Sequence, residues 1–153
     1  MRGIRLGEGD RVVGMLASDR DTTLLSVTEN GYGKRTDIEN YRLTRRHSKG
    51  VSNIRTSERN GPVVSIHAVS DEDELMIITT NGLIIRLPVR DLRPIGRNTQ
   101  GVRLINLGEG DRVIDVSRIT PGDEEDDPAN GEGNGSTPSE TDETPGTAGD
   151  EEG

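Results

Sequence analysis

The sequence has few of the residues that build a large apolar core or a reactive site. It has no Cys, Trp or Phe, and aromatic residues make up 1% of its 153 residues. Without thiols, disulfide frameworks and cysteine-based catalysis are excluded. No apolar run approaches the ~18 residues of a membrane span, and the N-terminus lacks the apolar segment of a signal peptide. We therefore expect a cytoplasmic chain with at most one domain.

Charge and apolar content both change close to residue 120. All 19 Lys and Arg and nearly all the Ile, Leu and Val lie within residues 1–120, which are mildly basic. Residues 121–153 have none of these residue types and are rich in Asp and Glu. Because low hydropathy and like charge are typical of disordered segments, we predict a disordered acidic tail over residues 120–153.

An internal repeat runs through the basic part of the chain. The segment TLLSVTENGYGKRTDIENYR (23–42) aligns without gaps with ELMIITTNGLIIRLPVRDLR (74–93), including an Asn-Gly pair in each copy. A partial third copy is marked by LGEGDRV, which occurs at 6–12 and again at 107–113. Self-similarity at this period indicates stacked supersecondary units. Residues that share a position in the two whole copies are called register mates below.

Each unit is predicted to form about four strands and no helix. The Asn-Gly pair favours a type I′ hairpin turn, and Pro88 should lie at a sheet edge or strand end because it lacks a ladder donor. Four-stranded units repeating at ~40–50 residues are typical of propeller blades. The predicted division is a partial blade at 1–18, one blade at 19–69 and another at 70–119. Since roughly three such units are needed for stability, we expect partner blades or a longer chain.

The repeated text resembles a known family. ERNGPVV (58–64), ELMIITTNGLIIRLPV (74–89) and GRNTQGVRLINLGEGDRV (96–113) are similar, in order and spacing, to the last blades of DNA gyrase A, and less so to topoisomerase IV. The resemblance covers residues 1–119. It implies an all-β, propeller-like β-pinwheel whose basic rim bends and wraps duplex DNA. That wrapping supports negative supercoiling by an ATP-dependent type II topoisomerase.

The resemblance also implies partners and a non-catalytic role. The expected partners are double-stranded DNA, the remainder of gyrase A and the gyrase B protein in an A2B2 heterotetramer, with no membrane. The breakage-reunion domain and its catalytic tyrosine are missing, and Tyr32 and Tyr41 lie within the repeat, so no catalytic residue is expected. No cofactor is expected in this chain, whereas the whole gyrase uses ATP and magnesium. The acidic tail is either a solubilising segment or a DNA mimic that weakens wrapping.

Basic residues repeated at equivalent positions are the candidate DNA contacts. The family's wrapping motif, Gln-Arg-Arg-Gly-Gly-Lys-Gly, is replaced by diverged stretches at 45–50 and 96–101. A stripe of such residues would bind phosphates without reading sequence. The predicted DNA-binding residues are Arg45, Arg46, Lys49, Arg97, Arg35, Arg86, Arg42, Arg93 and Arg103.

Other interpretations stay open at this point. The loop arginines could be solvated, and Arg35, Arg86, Arg42 and Arg93 could pair with Asp37, Glu39 or Asp91. The blades could bind a protein instead of DNA. The chain could also be a fragment that starts internally at Met1 and has no independent role. An enzymatic function has no support, because His47 and His67 form no acid–base pair and LGEGDRV lacks the helix start and lysine of a phosphate loop.

Overall fold

The computed structural model describes residues 3–17 and 19–122, so nearly all of the predicted acidic tail lies outside the described residues. The described part is all-β, as predicted, and none of its helices is long and apolar enough to cross a membrane. Two short 3-10 helices, Ile38–Asn40 and Val89–Asp91, accompany the strands. The strands are β1 (Thr23–Thr28), β2 (Tyr32–Asp37), β3 (Val63–Val69), β4 (Glu74–Thr79), β5 (Ile84–Pro88), β6 (Val102–Arg103) and β7 (Val113–Ile119).

The strands form two antiparallel sheets, and one strand of the second sequence unit joins the first sheet. In the first sheet the order is β3-β1-β2-β6, and in the second it is β5-β4-β7. β6 follows β5 in the chain, yet it pairs with β2 through Tyr32 opposite Arg103 and Gly33 opposite Val102. The first sheet therefore takes its fourth strand from the second sequence unit.

The two predicted hairpins are present, but the predicted turn type is wrong. β1 pairs with β2, and β4 pairs with β5. Gly31 and Gly82 have φ of 82° and 81°, whereas neither Asn30 nor Asn81 is among the residues with positive φ. A type I′ turn needs positive φ at both central residues. In the second hairpin the Thr79 N–H donates to the Leu83 carbonyl at 3.0 Å, so three residues form the loop, with glycine in its left-handed position.

One apolar core joins both sheets. β4 buries every second residue, Leu75, Ile77 and Thr79, as a strand with one covered face should. The core residues come from both units: Leu25, Val27, Val69, Leu75, Ile77, Val89, Leu92, Ile105, Val113 and Val116. Each fully buried Val or Leu side chain contributes ~1.5–3 kcal/mol, so this shared apolar core helps to hold the two units together.

Pro88 confirms the prediction made for it. It is the last residue of β5, and β5 is the outermost strand of its sheet among the described residues. A missing N–H at that point leaves no gap in the ladder with β4.

Candidate nucleic-acid interface

Two basic loops with the same backbone conformation lie between the hairpins and the strands that follow. The loop at 43–50 contains His47 with φ of 64°, and the loop at 94–101 contains its register mate Asn98 with φ of 59°. These are the only non-glycine residues with positive φ in the described part of the chain. Each loop ends on a left-handed glycine, Gly50 (φ 79°) or Gly101 (φ 77°). The repeat therefore fixes the loop shape although the side chains differ.

The first loop binds to the segment that precedes the first unit. The His47 N–H donates to the Gly3 carbonyl at 3.0 Å, and the Arg5 N–H donates to the Ser48 carbonyl at 3.0 Å. These bonds surround a short parallel bridge between Ile4 and Ser48.

The second loop binds to the first unit in the same way. The Asn98 N–H donates to the Asn53 carbonyl at 2.9 Å, and the Arg55 N–H donates to the Thr99 carbonyl at 2.9 Å. Each basic loop thus makes the same pair of backbone hydrogen bonds to the part of the chain that precedes its own unit.

The side chains of the first loop are open to solvent. Arg45, Arg46 and Lys49 are exposed, and so is Arg42 just before them. Within the described ranges none of these four has an acidic side chain at salt-bridge distance. The first loop therefore presents unpaired positive charge in the described part of the chain.

The second loop is held by a lysine that sequence reasoning did not single out. Lys34 is 1% exposed, and its Nζ donates to the Asn53 carbonyl at 2.7 Å and the Gly96 carbonyl at 2.9 Å. Burial, together with nearby Arg97, lowers the pKa of Lys34. Its register mate is Ile85, and that apolar position was the one available signal that Lys34 faces inward.

Arg97 lies over the first unit and does not extend freely. Its Nη1 donates to the Ser52 carbonyl at 3.0 Å, and its guanidinium carbon lies 5.9 Å from the centre of the Tyr41 ring. A cation over an aromatic face is attracted by the ring quadrupole. The remaining guanidinium donors stay available beside the loop. Arg93, which immediately precedes the same loop, is exposed.

Arg35 and Arg86 are register mates with different surroundings. Arg35 is 4% exposed, and its Nη1 donates to Asp71 at 2.7 Å, the Val89 carbonyl at 3.1 Å and the Leu92 carbonyl at 2.9 Å. It links the first unit to the second. Its acidic partner is Asp71, which was not among the acids that the sequence suggested. Arg86 is half exposed and pairs with Glu74.

Two further arginines converge on Tyr32. Arg103 Nη2 and Arg59 Nε donate to the Tyr32 hydroxyl at 2.8 and 3.1 Å, and both guanidinium groups lie over the ring, at 5.3 and 5.2 Å from its centre. The hydrogen bonds from Arg103 and Arg59 lower the pKa of Tyr32. Arg103 belongs to β6, and the pairing of β6 with β2 places it beside Tyr32. Sequence reasoning missed Arg59, because it has no arginine mate in the second unit.

This Arg59–Tyr32–Arg103 cluster has the chemistry of an anion site. Both arginines are exposed, and in the described residues neither forms a salt bridge with an acid. Two close guanidinium groups repel one another unless an anion lies between them. Phosphate is the anion that guanidinium forks match in geometry. No group of His, Asp or Glu that could hold a metal occurs in the same part of the chain.

Comparison with known proteins gives a consistent result. The family model described as DNA gyrase C-terminal domain, beta-propeller, matches residues 1–19, 22–70 and 73–120. DNA gyrase A of Escherichia coli (strain K12) is 46% identical over 127 residues, covering 82% of this chain and 14% of that protein. DNA gyrase A of Staphylococcus aureus (strain NCTC 8325 / PS 47) is 45% identical over 161 residues, covering 97% of this chain and 18% of that protein.

Solved structures show the same fold. A structure of the DNA gyrase A C-terminal domain superimposes with a TM-score of 0.70 at 30% identity, covering 76% of this chain and 40% of that one. The C-terminal domain of DNA topoisomerase IV gives a TM-score of 0.72 at 24% identity, covering 78% of this chain and 38% of that one. The chain thus spans less than half of each solved domain and a small part of the curated relatives it matches.

Proposed function

Because this chain belongs to the DNA gyrase C-terminal domain family, we propose that it binds duplex DNA through the phosphates and helps to bend it, as a non-catalytic part of a type II topoisomerase. The observation that carries the proposal is the Arg59–Tyr32–Arg103 cluster, where two exposed guanidinium groups meet at one hydroxyl without an acidic partner among the described residues. A DNA phosphate between them would relieve their repulsion.

Backbone recognition suits this surface better than base recognition. Single-strand binding relies on aromatic side chains that stack on bases, and the sequence has two Tyr and no Phe or Trp. The Tyr32 ring is already covered by two guanidinium groups. Arginines repeated in successive loops favour a bent duplex, because bending brings more phosphates within reach.

The proposed interface follows the exposed cations of the first loop, Arg93 and the half-buried Arg97 at the second loop, and the two arginines of the Arg59–Tyr32–Arg103 cluster. It excludes Arg35, whose guanidinium is occupied inside the protein, and Arg86, which pairs with Glu74. Its members are Arg42, Arg45, Arg46, Lys49, Arg59, Arg93, Arg97 and Arg103.

The rest of the activity belongs to other parts of the assembly. We propose that DNA cleavage and ATP hydrolysis, with its magnesium, occur in the remainder of gyrase A and in gyrase B, arranged as an A2B2 complex in the cytoplasm. This chain would add the wrapped DNA segment that gives strand passage its direction.

A salt titration tests the proposal. Fluorescence anisotropy with a random duplex of about 40 base pairs should give an affinity that falls with salt, with a log–log slope near −0.9 for each phosphate contacted. Arg59→Gln and Arg103→Gln should each weaken binding and reduce the slope by about one contact. Arg112→Gln is the matched control, because Arg112 is exposed but paired with Glu29, and it should bind like the unchanged chain.

Two outcomes would contradict the proposal. Absence of binding even at low salt would rule out an independent DNA-binding role. Equal losses in all three variants would mean that only net charge matters and that the Arg59–Tyr32–Arg103 cluster is not a site. Salt-insensitive affinity for one protein would instead support the protein-interaction alternative.

A further inference from the structure

The outer edge of β5 is where the repeat stays incomplete. β6 covers β2 in the first sheet, but no strand among the described residues pairs with the equivalent edge of β5. The Leu83 carbonyl accepts from Thr79 on β4, so the N–H and C=O of the next residue, Ile84, point away from β4. Leu83 and Ile84 are 43% and 58% exposed. An unpaired apolar edge of this kind is a template for another strand.

The first sheet shows what covers such an edge. Val102 and Arg103 pair with Gly33 and Tyr32, and the Leu104 N–H donates to the Gly31 carbonyl at 2.8 Å. Further along β2, the Ile95 N–H donates to the Arg35 carbonyl at 2.8 Å, beside a bridge from Arg35 to Pro94. Residues 94–95 and 102–104 therefore lie along the edge of β2, and the loop between them binds to residues 53–55.

The same segment exists a second time in the chain. The register mates of residues 94–105 are residues 43–54, which include Leu43 in place of Pro94 and Val51-Ser52 in place of Val102-Arg103. Leu43 is 101% exposed, so no contact covers it. Val51 and Ser52 have no strand partner among the described residues. The chain thus carries an open acceptor edge and a matching donor segment at opposite ends of the repeat.

We propose that a second copy of this chain lays its residues 43–54 along the outer edge of β5, so that its Val51 and Ser52 pair with Ile84 and Leu83. The contact continues the interface between the two units of one chain, with the same strand register and the same relative orientation of neighbouring units.

Side-chain volumes agree with this register. A Cβ at Gly31 would lie 2.8 Å from Ile105 Cγ2, whereas a Cβ at Gly82 has nothing within 4 Å. The open space beside Gly82 is where the register mate of Ile105, Ile54 of the second copy, would arrive. The Ile54 side chain is half-buried, so it has apolar surface left to cover.

Ile84 stands where the first sheet has Gly33, and the donor segment changes accordingly. A Cβ at Gly33 would lie 2.5 Å from Leu104 Cδ1, so a branched side chain there would collide with the leucine. The register mate of Leu104 is Asn53, whose side chain is bound to Tyr41 and Ser26. The donor segment of a second copy therefore brings no leucine against Ile84.

The contact is head-to-tail. An open assembly therefore keeps one free donor segment and one free acceptor edge, however many copies it contains. Such heterologous assemblies grow with concentration until they close or form filaments. In each docked copy the loop with Arg45, Arg46 and Lys49 takes the place that residues 96–100 take within one chain, so the basic rim continues across copies.

The test uses the full chain without DNA, in about 0.5 M salt, where the screening length is about 4 Å and attraction between acidic and basic parts is suppressed. Sedimentation velocity over a wide concentration range should show a sedimentation coefficient that rises with concentration. Leu43→Lys and Ile84→Lys should each abolish the rise, because each places a charge in one half of the contact. Met15→Lys is the matched control, since Met15 is 91% exposed and lies outside both halves.

A mixture separates this contact from general hydrophobic association. A Leu43→Lys chain keeps its acceptor edge and an Ile84→Lys chain keeps its donor segment, so an equimolar mixture should form dimers and nothing larger. A monomeric unchanged chain at every concentration would overturn the proposal. So would variants that still associate, a mixture that stays monomeric, or a Met15→Lys chain that loses association equally.

Discussion

Replacing Arg35 by Met should destabilise the fold strongly, whereas the same change at its register mate Arg86 should have little effect. The two arginines occupy equivalent positions on β2 and β5 and make a matched pair. They differ in environment only: Arg35 is 4% exposed, and Arg86 is about half exposed in its contact with Glu74. A comparison between them isolates how much burial and hydrogen bonding of one arginine contribute to the free energy of unfolding.

The magnitude follows from the groups that lose their partner. In Arg35→Met the carbonyls of Val89 and Leu92 lose their donor, and each buried unsatisfied group costs about 1–3 kcal/mol. Asp71 adds little because it is 75% exposed and can be rehydrated. The Met side chain retains part of the packing of the arginine stem. The expected loss is about 3–5 kcal/mol, a large fraction of the ~5–15 kcal/mol by which domains are stable.

For Arg86→Met the expected loss is about 0–1 kcal/mol, because a solvated ion pair contributes little. Urea unfolding followed by circular dichroism measures both variants in dilute solution. The unfolding slope should stay constant, so that midpoints report free energies. Arg35→Lys, which keeps the charge but fewer donors, should fall between Arg35→Met and the unchanged chain. Loss of free energy equal within about 1 kcal/mol in Arg35→Met and Arg86→Met would refute the reasoning.

Three shorter predictions concern single side chains of the first unit and the second loop. Because burial lowers the pKa of Lys34 from its usual 10.5, the unfolded chain binds more protons there. Stability should therefore rise with pH between the lowered value and about 10.5, and urea midpoints against pH should lose this rise in Lys34→Met. Gly101→Ala should cost more than 1 kcal/mol in thermal unfolding, since φ is 77° and a Cβ would meet a carbonyl at 2.5 Å, while Gly96→Ala, with open space, should stay within ~0.5 kcal/mol. In an absorbance titration of the phenols, Tyr32 should ionise at lower pH than Tyr41, whose pKa is raised by burial, and Tyr32→Phe should remove the lower step.

The repeat made the two sheets predictable. It did not predict that β6, which belongs to the second sequence unit, joins the first sheet. The Asn-Gly pairs and alternating apolar residues of β1 and β4 are local signals, and the hairpins follow from them. β6 is two residues long, and no local pattern tells which sheet such a short strand joins. The turn type was missed for a related reason, because Asn-Gly serves two-residue and three-residue hairpin loops alike.

The candidate site was predictable in its loops and less so in its strands. Arg45, Arg46 and Lys49 lie in a polar loop, where exposure is the normal state, and they are exposed. Arg35 lies in a strand, where register gives its position but not what covers it. Arg59 contributes through Tyr32, and that contact joins a loop residue to a strand residue that is 27 positions away in sequence. Contacts of that kind are not visible in a periodic pattern.

In the proposed self-association, Arg86 should acquire the surroundings that its register mate Arg35 has within one chain. Arg35 is enclosed because residues of the second unit lie over it, and the same segment of a second copy would enclose Arg86. The register mates of Val89 and Leu92 are Ile38 and Tyr41, whose carbonyls would then face the Arg86 guanidinium. Its charge is already balanced by Glu74, which takes the position that Thr23 has beside Arg35.

It follows that Arg86→Met should act on association and not on the fold. In dilute solution its urea midpoint should match that of the unchanged chain, while the concentration at which the sedimentation coefficient rises should increase several-fold, since a contact carbonyl left without a donor costs about 1–3 kcal/mol. Arg112→Met, at another exposed ion pair, should change neither quantity. If Arg86→Met associates like the unchanged chain, the second copy does not enclose this edge as the second unit encloses β2.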